Sequence, residues 1–188
     1  MTPASEQRRT PAALLLLLAF AACRDASVKV PARALDEDQQ RRVAGHLLNQ
    51  RPTPAYPSSA SFGGGRIRLL GSDARPDPAV RGRALRLVHY FEAGEPLDKS
   101  WKLFVHVQNA AAPGILVNAD HVPVEELHPT DRWKQGQIIE DAYTVQIPPD
   151  APDELVVFIG FYRFDDRLPV DQREAHDGGN RVPALRLK

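Results

Sequence analysis

Cys23 is the single cysteine in 188 residues, which excludes a disulfide framework and any multi-thiolate metal site within the chain. Net charge is also missing. The 24 basic side chains are matched by 24 acidic ones, leaving no surplus to track a phosphate backbone, so nucleic acid is not an expected partner. No apolar run reaches the roughly 20 residues that a membrane-crossing helix requires. There is no Gly-x-Ser-x-Gly elbow, and Gly63-Gly64-Gly65 is not followed by the Gly-Lys-Ser/Thr of a phosphate loop. The chain does hold 43% hydrophobic and 26% charged residues, ordinary proportions for a folded domain.

The N-terminus has a strong pattern of its own. Arg8 and Arg9 precede an uninterrupted apolar run from Ala12 to Ala22 that contains five consecutive leucines, Leu14 to Leu18. A short positive region followed by so short an apolar run predicts a secretory signal peptide over 1–22. The twin arginines continue as Thr10-Pro11-Ala12, which points to ordinary export. The run ends in Phe20-Ala21-Ala22-Cys23, which resembles the lipobox of bacterial lipoprotein precursors, with Phe20 where Leu is usual. That resemblance implies a diacylglyceryl group on the Cys23 sulfur, removal of the first 22 residues, and an acyl chain such as palmitate on the new N-terminus. Two or three acyl chains anchor firmly where one is marginal. Arg24 stands where an Asp retention signal would be, so the implied address is the bacterial envelope, either the periplasmic face, with the outer membrane favoured over the inner, or the cell surface. Ordinary cleavage leaving a free Cys23 is the alternative.

Residues 23–60 read as a lipid-anchored spacer. Within it Asp36 is placed to cap a short helix over 36–50, with Val43, Leu47 and Leu48 at helical spacing and Pro52 as its stop. From 61 to 188 the period changes to two. Candidate strands cover 66–70, 84–92, 101–108, 115–118, 137–147, 155–164, 167–170 and 181–187, with Pro and Gly between them. Alternation places Leu85, Leu87, His89 and Phe91 on one face, and Ile139, Asp141, Tyr143, Val145 and Ile147 on another. Seven to eight short strands without crossover helices predict a mainly β fold, an antiparallel β-sandwich of immunoglobulin-like or jelly-roll type.

The strings Phe104-Val105-His106, Asp120-His121-Val122-Pro123, Trp133-Lys134-Gln135-Gly136 with Asp141, and Gly160-Phe161-Tyr162 with Arg167-Leu168 occur in that order. They resemble the soluble β-sandwich domains attached to bacterial membrane-embedded glycosyltransferases, over residues 62 to 188. The resemblance implies the fold and an envelope setting. It carries no transferase activity, because catalysis in those proteins belongs to membrane segments.

Candidate chemistry rests on few side chains. His106, Asp120, His121, His128, Asp131 and Asp141 lie on neighbouring strands and loops, and His with carboxylates can bind a divalent metal. A metal-dependent envelope enzyme using His106, Asp120 and His121 is therefore one reading. The other makes His106 a hydrogen-bonded strand residue and gives Asp120 and Asp131 to loop N–H groups. Glu125-Glu126 with Asp131 is a weaker carboxylate arrangement. Trp133 is either an exposed platform for a sugar ring or a plug at one end of the sandwich, and Trp101 reads as core. The leading expectation is a non-enzymatic, lipid-anchored binding or accessory module for a glycan or a glycan-processing membrane protein. No cofactor beyond the lipid on Cys23 is expected. Its possible ligand contacts are His106, Asp120, His121, Asp131 and Trp133.

Overall fold

The computed structural model describes residues 34–112, 114–172 and 179–188. The expected signal segment, Cys23 as the expected lipidation site, and the first half of the Asp177–Asn180 turn lie outside the described residues.

Asp36 opens the first element, α1 (Glu37–Gly45), with a capping box: its carboxylate accepts from the Gln39 backbone at 2.8 Å, and its own N–H donates to the Gln39 side chain at 3.1 Å. The helix ends at Gly45, well before Pro52. Leu47 and Leu48, expected inside it, instead form β1 (Leu47–Leu48) against Ile139 and Ile138. β-sheet pairing thus wins over helical spacing once the chain reaches an unpaired strand edge.

Ten further strands follow: β2 (Tyr56–Pro57), β3 (Ser61–Phe62), β4 (Ile67–Pro76), β5 (Ala84–Ala93), β6 (Lys102–Asn109), β7 (Ile115–Asn118), β8 (Ile138–Gln146), β9 (Leu155–Arg163), β10 (Asp166–Arg167) and β11 (Val182–Leu187). The first sheet runs β1-β8-β5-β4-β2, with β3 also on β4. The second runs β10-β9-β6-β7, with β11 also on β9. Every pairing is antiparallel, as the sandwich reading requires. The eleven strands exceed the seven to eight expected because β1, β2, β3 and β10 have two residues each, too few to show a period. The compact unit begins at Ala34, so the latter part of the expected spacer belongs to the sandwich.

Gly71-Ser72-Asp73 does not end a strand. A bulge between Leu69 and Gly71 absorbs one residue and β4 continues to Pro76. Only glycine fits at position 71, where φ is +147° and a Cβ would lie 2.3 Å from Pro54 and 2.5 Å from the Tyr56 carbonyl oxygen. The inward faces meet in one core. Phe62, Phe91 and Phe161 are fully buried, with the Phe161 ring 5.2 Å from Phe62 and 5.5 Å from Phe91, both edge to face.

Candidate functional site

The motif residues separate into two clusters on either side of the second sheet. Leu103, Val105 and Val107 of β6 point into the core, so Phe104 and His106 face outward. On that outer face Asp120 accepts from the Val105 N–H at 2.9 Å and stands 3.6 Å from His106 Nε2. Tyr162 hydrogen-bonds to Asp120, and burial, followed by the Asp120 charge, pushes its phenol up. Arg167 lies over both Phe104, at 4.9 Å, and Tyr162, at 5.1 Å. Gly160 makes this stacking possible, since a Cβ there would come within 2.5 Å of the Phe104 ring. Burial holds the His106 imidazole below its ordinary value against the opposing pull of Asp120, with Arg181 and Arg167 helping to hold it down.

One residue further on, His121 turns the other way. Its ring nitrogens face two acceptors, to which its N–H groups donate: the Ala119 carbonyl at 2.7 Å and Asp141 Oδ2 at 2.8 Å. Asp141 is fully buried, and its other oxygen accepts from the Val124 N–H at 2.7 Å. That bond holds a left-handed turn, because Val124, Glu125 and Glu126 have φ of 59°, 53° and 64°. Glu125 in turn ion-pairs with Arg42 of α1. Burial opposes the His121 charge, but the hydrogen bond and charge of Asp141 together raise its pKa above the usual imidazole value.

The His121 ring sits 4.4 Å from Tyr143, whose hydroxyl is 2.6 Å from His89 Nε2, and His89 Nδ1 is 2.7 Å from Ser72 Oγ. Ser72, His89, Tyr143, His121 and Asp141 thus form a polar chain across the interior. Motif reasoning missed three members, Ser72, Tyr143 and the fully buried His89. The available signal was the phase of His89, since an imidazole on the core face with Leu87 and Phe91 needs buried partners.

Burial brings the His89 pKa down to about 4. A histidine with a lowered folded pKa contributes full stability above the unfolded value near 6.5, and this is lost as pH falls from there toward 4. Acidification to pH 5 is expected to remove about 2 kcal/mol through this residue alone. NMR titration checks it: the His89 ring signals should stay fixed from pH 7.5 to 5 while those of His121 titrate with a raised midpoint. A His89 midpoint near 6.5 would contradict the assignment.

The expected metal set is divided by this arrangement. His106 faces outward with Asp120, His121 is engaged inward, and Asp131 is exposed in a 3-10 turn over Thr130–Arg132. Among the described residues no group of three or more His, Cys, Asp or Glu side chains is disposed to hold a metal ion. Trp133 is not an exposed sugar platform. It is 3% exposed, donates from Nε1 to the His128 carbonyl at 2.9 Å, and packs against Phe91 and Phe161. The Gly63–Gly65 loop does hold an anion, its own Asp171, which accepts from Gly64 N at 2.7 Å and Gly65 N at 2.8 Å.

The outer face of the first sheet is concave. Asp73, Arg75, Arg86, Tyr90 and Glu140 surround Val88 in a groove of about 360 Å³. Tyr90 donates to Asp73 at 2.9 Å, and burial, followed by that hydrogen bond, pushes the Tyr90 pKa up to about 12. The volume is at the lower end of the range for a small-molecule site, and the lining is more polar than is usual for one.

Fold and groove together define an antiparallel β-sandwich with a polar ligand-sized concavity on one sheet. No protein-family model matches the chain, and no curated protein matches it.

Proposed function

We propose that this chain is a lipid-anchored, extracytoplasmic β-sandwich that works without catalysis as a binding or accessory module for a glycan, or for a membrane protein of the glycan machinery, at the bacterial envelope. The first-sheet groove carries the reading: it is ligand-sized and polar-walled, whereas Ser72, His89 and Tyr143 are engaged with one another in the interior and His121 with Asp141. The anchor is supported by the apolar run and Cys23 in the sequence. No helix among the described residues is long and apolar enough to cross a membrane. With a lipid tether the sandwich is held at the membrane surface, where glycan chains and their processing enzymes are concentrated.

Two measurements test the proposal. Cys23→Ala should abolish incorporation of a fatty-acid probe and release the chain from membranes, and persistence of both would overturn the anchor. The full chain, purified in detergent, should retain glycans on an array or a membrane protein in a pull-down from envelope extract, and groove substitutions should weaken that retention. Retention unaffected by any groove substitution would remove the groove from the function.

A further inference from the structure

We infer that the first-sheet groove selects an acidic sugar, a hydroxylated body bearing one oxyanion, and that Arg75 and Arg86 are its anion clamp. The inference rests on the groove being the ligand face.

Arg75 of β4 and Arg86 of β5 are direct cross-strand partners. Like charges placed opposite one another on a sheet repel and destabilise the pairing. Asp77, whose carboxyl is held low first by its Thr144 hydrogen bond, also feels the charges of Arg86 and Arg75, but it relieves the pair only at long range. Asp73 is engaged by the Ala55 N–H at 2.6 Å and by the Tyr90 hydroxyl at 2.9 Å. Asp77 is engaged by Thr144 Oγ1 at 2.6 Å and by the Ala79 N–H at 3.0 Å. Among the described residues neither arginine forms an ion pair with a carboxylate.

Arg75 and Arg86 also line a second, adjoining concavity of about 450 Å³, together with Pro76, Asp77 and Pro78. Arg75 and Arg86 therefore border both concavities. Two planar forks side by side fit a carboxylate or a phosphate through paired N–H···O bonds, which a single point charge could not match. Across the groove, Glu140 and the Tyr90–Asp73 pair offer oxygens to sugar hydroxyls, while Val88 meets an apolar ring face. Carboxylate and phosphate share this chemistry.

The test uses the full chain with three probes: glucuronate, glucose 1-phosphate and uncharged glucose. The expected result is a thermal midpoint raised by one or both anions and unmoved by glucose at equal ionic strength, and the comparison of the two anions distinguishes carboxylate from phosphate. Arg75→Gln and Arg86→Gln should each weaken anion binding by about 10- to 100-fold, the loss of one charge-assisted hydrogen-bond set. Without ligand, each variant should melt at the same temperature as the parent or higher, because the repulsion is gone. A purely structural role for the pair predicts the opposite change in melting. The clamp is overturned if neither anion raises the midpoint or if both variants bind as the parent does. Neutral glycans bound independently of the arginines would defeat the clamp and leave the binding module standing, whereas no binding of any sugar would defeat the clamp and the glycan arm of the proposed function together, leaving the membrane-protein arm to the pull-down.

Discussion

Replacing Asp141 by Ala should lower the unfolding free energy by about 3–5 kcal/mol, the range for removing one partner of a buried ion pair. Two donors lose their acceptor at once, the His121 ring and the buried Val124 N–H. The latter matters beyond its own bond, because it pins three successive residues in a left-handed conformation that L-residues adopt at a cost. Asp141→Asn keeps one oxygen and loses the charge, so about half of the penalty should remain. The pH dependence follows from His121. Its folded pKa is raised, so its contribution is fully present below the unfolded value and is lost as pH rises through the folded one. Asp141→Ala should therefore cost more at pH 5.5 than at pH 8.5. Urea unfolding at the two pH values measures this, and a loss below 1 kcal/mol at both would show that the carboxylate does not organise the turn.

The importance of Asp141 was half legible in the sequence. Alternation places it on the core face between Ile139 and Tyr143, and it is 1% exposed. Grouping it with His121 was also right in proximity. The spacing could not show direction. Asp120 and His121 are adjacent, yet the isolated bridge between Leu103 and His121 sends one side chain outward to Tyr162 and the other inward to Asp141. Successive residues in extended chain point to opposite faces, so a metal set built from both was improbable on that ground alone.

Most strands that show a period were readable within a residue or two, because one face of each is buried and alternation follows from that burial; the exception is β4, expected to end at residue 70, whose bulge at Gly71 hid its continuation to Pro76. Those that show none were not. Leu47–Leu48 and Tyr56–Pro57 carry no pattern of their own and are strands because β8 and β4 present unpaired edges to them. For the same reason the pairing within residues 47–57 left no local signal, since it comes from long-range partners. The groove was hidden differently. Asp73, Arg75, Arg86 and Glu140 look like ordinary solvated charges until the register sets Arg75 opposite Arg86 and Tyr90 opposite Glu140.

Trp133→Ala should cost about 3–5 kcal/mol, as large aromatic truncations in a core do. The indole fills the corner between the two sheets, with its ring 5.7 Å from Phe91 and 6.4 Å from Phe161, so truncation leaves a cavity beside two other aromatics. The His128 carbonyl loses its donor in the same step. Trp133→Phe keeps most of the buried area and removes only the indole N–H, so about 1–2 kcal/mol is expected from it. Both penalties should appear in denaturant unfolding, while the affinity of the remaining folded protein for a groove ligand stays unchanged, because Trp133 lines the core and not the groove. The sugar-platform alternative makes the reverse prediction, a lost affinity with stability intact, so one unfolding curve and one binding curve on the same variant separate a plug from a platform.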